Sequence, residues 1–444
     1  MKRAWIALCA FILVSVLLVV AQAVGSNGDG TPGNPYQITN CTELQDMNNN
    51  LAAHYVLMND IDCSDTVNWN GGAGFEPVGT SSTPFAGTFD GQTHTITGLY
   101  INRPSTYYVG LFGKSEYSTI SNVGLVDVDI TGCSTVGALV GMNIGGDITA
   151  SYVTGRVVGL EPAVGGLVSV NHGGTIENCY AKVNVSSHYW SVGGLVGEHT
   201  SGGIIKNCYA TGTATDDLFV GGLVGYNPNA TIENSYATGS VTAYNYVGGL
   251  VGLNSGWGFV AYGTIINCYY NNHAGNPSVG IGYGTGDCTA INDNESYFYY
   301  SSNPPMDQWD FVNVWAIDEG VDYPYLIADS DGDGIPDNQD SCPFEDATGF
   351  DADGDGCIDT LTGLQEIIEA LPDDVLSDEI KNSLVSKVDN ALKSADKEKD
   401  EAAINILQAF INQIEAQRGK KISEEVADML IEYANNVIAK IEAG

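Results

Sequence analysis

Positive charge is scarce in this 444-residue chain: 16 Lys and Arg stand against 54 Asp and Glu, a formal net charge of −38. Residues 25–328 hold 26 acidic and 5 basic residues, 329–360 hold 11 acidic and none basic, and 361–444 hold 17 acidic and 9 basic. A surface of that sign repels phosphate backbones, which excludes nucleic acid as a partner, and it attracts divalent cations. Long apolar runs are also missing after the first two dozen residues, so no transmembrane segment is expected in the mature chain. Histidine numbers only 6, and His172, His188 and His199 form neither an HExxH motif nor a His/Asp/Ser arrangement. The glycine strings sit between β-prone runs rather than before helices, which excludes a phosphate loop or dinucleotide fingerprint.

What is present begins with MKRAWIALCAFILVSVLLVVAQA. Lys2 and Arg3 precede an apolar run, and Ala21-Gln22-Ala23 offers a small-residue cleavage site. Residues 1–23 therefore read as a secretory signal peptide, with an uncleaved N-terminal anchor as the alternative. Nine cysteines follow, an odd number, so at least one thiol is free or pairs between chains. Export permits disulfides, and Cys41–Cys63 and Cys342–Cys357 are the expected local pairs, although sequence leaves the connectivity open.

VGGLVG at 192–197 returns at 220–225 and 247–252, and in altered form at 136–141 and 164–169. Aligned on the first glycine, the copies fall at Gly110, Gly137, Gly165, Gly193, Gly221, Gly248 and Gly280, about 28 residues apart. A second motif keeps the same beat: TIENCYA (175–181), IIKNCYA (204–210), TIENSYA (231–237) and TIINCYY (264–270). A fixed period in this range is a solenoid signature. Each unit is two or three short runs of Val, Ile, Thr and Tyr split by Gly and Asn, and none leaves room for a ten-residue helix. Stacked β coils are predicted, with equivalent positions pairing as parallel strands; seven coils at about 4.8 Å would make a core of roughly 34 Å. The first hexad glycine, invariant, needs either positive φ or a place with no room for a Cβ. The second, Ala at Ala138, needs only to be small. The adjacent Leu and Val suit a strand covered on both faces or a chain turning a corner. A bend at Asn178, Asn207, Asn234 and Asn267 would turn the following Cys inward, and these Asn are expected to form a hydrogen-bonded ladder.

The hexads resemble the GLUG repeats of secreted bacterial and archaeal surface proteins. FAGTFDGQTHTITGLYI (85–101) resembles the segment that opens such arrays, and WDFVNVWAIDEGVDYPYL (309–326) the one that closes them. The resemblance covers about residues 34–327. It implies a β-solenoid displayed outside the cell and brings no catalytic residues.

DSDGDGIPDNQD (329–340) places Asp329, Asp331, Asp333, Asp337 and Asp340 at calcium-loop positions 1, 3, 5, 9 and 12, with Gly334 at the sharp turn and Ile335 offering its carbonyl. DADGDGCIDTLT (351–362) repeats the pattern with Asp351, Asp353, Asp355, the carbonyl of Cys357, and Asp359; Thr362 stands where the last carboxylate belongs. Ca2+ is the expected ion, and an acidic linker is the alternative. The whole stretch resembles a thrombospondin type 3 repeat, with Cys342 and Cys357 in the places that resemblance implies.

After residue 360 Gly nearly vanishes. Leu384, Val388 and Leu392, then Ile404, Leu407, Ile411 and Ile414, then Val426, Leu430, Tyr433, Val437 and Ile441 recur at helical spacing. Ser423 before Glu424 and Glu425 predicts a capped helix start. Three or four helices in a small bundle are expected. The stretch 402–438 resembles the FIMAH domain, a helical module of secreted microbial proteins, and gives a possible docking face for a partner.

The predicted chain is thus mainly β: signal peptide 1–23, a parallel β-helix of about 28-residue coils over 24–327, a calcium-binding linker over 328–360 and a helical bundle over 361–444. The expected function is adhesion or binding at the cell surface or in the extracellular medium, with a glycan or protein ligand and no catalysis. A lyase would need clustered cations, yet Arg103, Lys114, Arg156, Lys182 and Lys206 fall at different phases of the repeat. A glycosidase needs paired carboxylates, and Asp127 with Asp129, or Asp216 with Asp217, are the pairs available for that alternative. A passive envelope or matrix role is the third reading. Aromatics precede the hexads at Tyr107-Tyr108, Tyr189-Trp190, Tyr244 and Tyr246, where they would stack on sugar or cap the core.

Overall fold

In the computed structural model, each repeat forms one turn of a three-sided parallel β-solenoid. The structure describes residues 28–256, 262–271, 276–286, 288–291, 295–327, 360–371, 375–395 and 399–443. The expected leader, all eleven calcium-loop residues from Asp329 to Asp359, and Cys342 with Cys357 lie outside the described residues. Among the described residues, sheet I has nine strands, from Tyr36–Ile38 to Thr264–Ile266. Sheet II has seven, from Phe112–Glu116 to Ile281–Gly284, and sheet III is a larger, sixteen-stranded face. Equivalent residues stack in register: Val140 pairs with Val168, Val168 with Val196, Val196 with Val224, and Val224 with Val251.

Each coil turns on residues in the left-handed region. The corner from sheet I to sheet III is made by Asn122, Ala150, Asn178, Asn207, Asn234 and Asn267, with φ of 43–54°. The hexad spans the corner from sheet III to sheet II, so the adjacent Leu and Val belong to a chain turning a corner: Val192–Gly193 closes one strand and Val196–Thr200 opens the next. Positive φ falls two places before the hexad glycine, at Tyr108, Thr135, Ala163, Ser191, Phe219 and Tyr246. The glycine itself has ordinary φ, and lack of room is its cause: a Cβ on Gly193 would fall on the carbonyl of Val196, and one on Gly221 on that of Val224. The second glycine is more confined than smallness alone requires. At Gly194 a Cβ would meet the carbonyl of Gly222 on the next coil.

The interior is one narrow apolar column built from Ile120, Ile148, Ile176, Ile205 and Ile232, the hexad Leu and Val residues, and the Cys column, all buried. At the first rungs it widens. There Tyr55, Phe85, Phe89 and Phe112 fill it, with ring centroids 4.8–6.3 Å apart along the chain of contacts. A short helix, Cys41–Asp46, is capped by the Asn40 side chain, and a disulfide joins Cys41 to Cys63.

Four helices follow residue 360: α1 (Leu361–Ala370), α2 (Asp378–Ala395), α3 (Asp400–Gln417) and α4 (Glu424–Ala443). They pack in sequence, and α1 also meets α4. The Thr360 hydroxyl accepts from Gly363 N (3.0 Å) and that of Ser423 from Val426 N (3.2 Å), so both starts are capped. Leu384, Val388, Leu407, Ile414, Leu430 and Tyr433 are buried as the periodicity predicts. Ile404 sits at the margin, and Ala403 and Phe410 take the interior places on α3. Among the described residues no helix is long and apolar enough to cross a membrane.

Candidate functional site

The rod's repetition turns single residues into columns. The predicted Asn ladder is present: Asn207 Nδ2 donates to Asn178 Oδ1 (3.2 Å), Asn234 to Asn207 (3.5 Å) and Asn267 to Asn234 (3.3 Å). The bend does turn Cys179, Cys208 and Cys268 into the core. Burial pushes the Cys268 thiol up to about 12 and that of Cys208 well above its ordinary value, so these are inert packing groups.

Two further columns carry no mark in the sequence reading. Asn143, Asn171, His199, Asn227 and Asn254 are wholly buried at the corner between sheets II and I. Asn143 Nδ2 donates to Gly146 O (2.8 Å) and Asn171 Oδ1 (2.9 Å), and Asn171 Nδ2 to Gly174 O (2.8 Å) and His199 Nδ1 (3.2 Å). His199 Nε2 then donates to Thr231 O (3.1 Å), so the ring is neutral; burial depresses its pKa to about 4. The other column, on the outer face of sheet III, stacks Tyr152, Tyr180, Tyr209, Tyr236 and Tyr269 with centroids 4.7–4.9 Å apart and rings within 7° of parallel. The closing segment folds back over the far end of this stack. Phe298, Trp309 and Trp315 pack on Tyr209, Tyr236 and Tyr269, and Tyr236 Oη donates to Pro324 O (2.6 Å). Burial raises the pKa of every one of these tyrosines, most at Tyr236 and Tyr269.

The aromatics predicted before the hexads are exposed at Tyr107, Tyr189, Trp190, Tyr244 and Tyr246. Two of the set, Trp190 and Tyr246, join Phe219 and Tyr283, which the sequence did not mark, in a continuous strip along the corner between sheets III and II. Trp190 lies 6.3 Å from Phe219, Phe219 lies 5.2 Å from Tyr246, and Tyr246 lies 5.8 Å from Tyr283. Its rings present faces and edges to solvent on successive rungs, a geometry suited to stacking against sugar or peptide.

The predicted carboxylate pairs fare differently. Asp127 sits at positive φ in an irregular stretch of sheet III, and Asp129 is ion-paired with Arg156 at 3.0 Å. Asp216, by contrast, is only 7% exposed, and its Oδ2 finds no hydrogen-bond partner among the described residues. Burial pushes its pKa up to about 6; the hydrogen bond from the Asp217 backbone N–H opposes the shift, the Asp217 charge adds to it, and His188 and Ser187 oppose it. His172 bonds Thr200 and Ser201 through Nδ1. No group of three or more metal-ligating side chains occurs among the described residues.

Comparison with known proteins agrees with this architecture. Residues 162–186, 188–215 and 220–242 match the GLUG motif, and residues 361–439 match the FIMAH domain. Halomucin from Haloquadratum walsbyi is 40% identical over 141 residues, which cover 30% of this chain and 2% of halomucin. A protein of Evansella cellulosilytica that carries the name Gly-rich membrane protein is 38% identical over 144 residues, 30% of this chain and 17% of its own. The chain thus spans only a small part of either relative. A crystal structure from Bacteroides ovatus, of a protein described as a candidate immunoglobulin A1 protease, superposes with a TM-score of 0.52 at 23% identity over 68% of this chain and 95% of that one. That likeness is one of fold.

Proposed function

We propose that this chain is an exported surface protein whose rod presents the Trp190–Phe219–Tyr246–Tyr283 strip to an extracellular ligand, a glycan or another protein. The strip carries the reading: rings on a soluble rod that are neither buried in the core nor covered by the closing segment mark a binding surface. The formal charge of −38 favours a neutral or cationic ligand. Relatives named halomucin and a Gly-rich membrane protein support a place at the cell surface. The test is a glycan and matrix-protein array probed with the intact chain and with the double variant Trp190→Ala/Tyr246→Ala. Both residues are exposed, so folding is preserved, and equal array signals from the two proteins would remove the strip from consideration.

Calcium binding by 329–359 is part of the same reading, since eleven carboxylates with no cation nearby in sequence repel one another. Calcium titration should raise the protease resistance of that segment; an unchanged cleavage pattern rejects it. A carbohydrate-active enzyme is the second reading, and the buried Asp216 carboxyl favours it, because a raised pKa is what a general acid needs. A reducing-sugar assay on the array's ligands decides it: product that disappears in Asp216→Asn supports catalysis.

A further inference from the structure

Two of the outer columns are interrupted on adjacent rungs. The Asn ladder runs from Asn267 to Asn178 and then meets Ala150, which has no amide to offer. One rung further, Asn122 resumes the column and donates to Asp90 Oδ1 at 3.2 Å. The gap leaves Asn178 Nδ2 without its acceptor and Asn122 Oδ1 without its donor, on either side of a single missing carboxamide. The Tyr column ends on the rung of Ala150: Tyr152 is in register with Gly124, on the rung of Asn122, and the tip of its own ring lies over Gly124, where a Cβ would strike it. Among the described residues, the closing segment, which covers the later rungs, reaches this place with Leu326 and Ile327. What remains is a cavity of about 230 Å³ bounded by Asn122, Ala150, Asn178, Tyr152, Thr93 and Ile327.

We propose that this cavity is a binding subsite for one neutral pyranose ring carrying a vicinal diol, formed by Asn122, Asn178, Tyr152 and Thr93. A vicinal diol sets a donor and an acceptor side by side much as the missing carboxamide would, so it bridges Asn178 Nδ2 and Asn122 Oδ1 across the gap. The carbon face of the sugar packs against Tyr152, which lines the cavity with its ring tipped over Gly124. The volume lies below the usual range for drug-sized ligands and suits a single ring. Asp60 and Asp90 beside it disfavour anionic sugars. The site lies at the corner between sheets I and III, away from the aromatic strip, and does not depend on it.

The test is a titration of the intact chain with the methyl glycosides of glucose, galactose, mannose and N-acetylglucosamine, read by saturation-transfer NMR and tyrosine fluorescence. Wild type should bind at least one with Kd on the order of 1 mM, as befits a single small ring. The variant Ala150→Asn installs the residue used on the neighbouring rungs, at a φ of 43° that Asn tolerates better than Ala, so it folds and refills the gap. It should weaken binding at least about tenfold, a change of about 1.4 kcal/mol. Tyr152→Leu, which keeps bulk and loses the ring, should weaken it similarly. Failure of wild type to bind any of the four glycosides, or undiminished binding by Ala150→Asn, overturns the proposal.

Discussion

Two columns of asparagine run along this rod, and they differ in what they face. The outer one lies at the corner between sheets I and III, with positive φ; Asn122 and Asn207 are buried there, while Asn178, Asn234 and Asn267 keep partial access to water. The inner one, Asn143 to Asn254, is wholly buried, and each of its Asn amides also closes a turn by donating to a carbonyl of its own coil. The interruptions differ accordingly. The outer column is broken by Ala150, which leaves two amide atoms to solvent or ligand. The inner one is broken by His199, which engages Asn171 but not Asn227, whose Oδ1 is buried with no hydrogen-bond partner among the described residues. In a stack where each rung contacts only its neighbours, water access decides how much a rung can lose.

Emptying a place in the inner column should therefore have the largest effect. Asn171→Ala strands Gly174 O and His199 Nδ1 in a dry interior, and is expected to cost about 3 kcal/mol, read from the urea midpoint of the solenoid. A loss below about 1 kcal/mol would mean water enters the column and would erase the contrast between the two. Acid should act at the next rung. His199 is held neutral with a pKa of about 4 against an ordinary 6.5, so its contribution is complete above pH 6.5 and is lost as pH falls toward 4. The total is on the order of 3 kcal/mol. Asp216 titrates with the opposite sign, its raised pKa favouring the fold as pH falls, so the measurement is a difference: the acid loss seen in wild type should be absent in His199→Asn. Parallel pH profiles for the two proteins would show that His199 does not govern acid sensitivity.

The outer ladder was legible because TIENCYA and its kin put Asn before an inward Cys at a fixed beat, and a bend there was the only way to bury that Cys. The inner ladder kept the same beat, two residues past the last hexad glycine (Met142-Asn143, Val170-Asn171, Tyr226-Asn227, Leu253-Asn254), yet Asn after glycine and before more glycine reads as a turn. Only the coil's closure shows that those side chains point inward. His199 hid the column further by replacing one member with a residue that invites a catalytic reading. The Tyr column recurs in five successive units, where Tyr also reads as plain β-propensity; its outward stacking depends on the bend two residues before, and its cover comes from Trp309 and Trp315, far along the chain. The invariant hexad glycine was narrowed to two causes, and three-dimensional crowding by the Val196 carbonyl selected between them. On α3 a one-residue shift exchanged Ile404 for Ala403 and added Phe410 beside Leu407, Ile411 and Ile414, since several apolar residues there fit either face.

The outer column should answer more mildly. At half-buried Asn234, Asn234→Ala loses ladder bonds of 3.5 and 3.3 Å and places Ala at a φ of 45°, so about 1–2 kcal/mol is expected in the same denaturation assay. A cost equal to that of Asn171→Ala would mean the corner is as dry as the interior. The smallest effect has the opposite sign. Ala150→Asn relieves a left-handed Ala and joins the two halves of the ladder, and should stabilise the rod by about 0.5–1 kcal/mol. That a single common substitution would complete the column without strain is itself informative: Ala150 is not there for stability, and if the substitution proves stabilising while abolishing glycoside binding, the gap exists for what enters it.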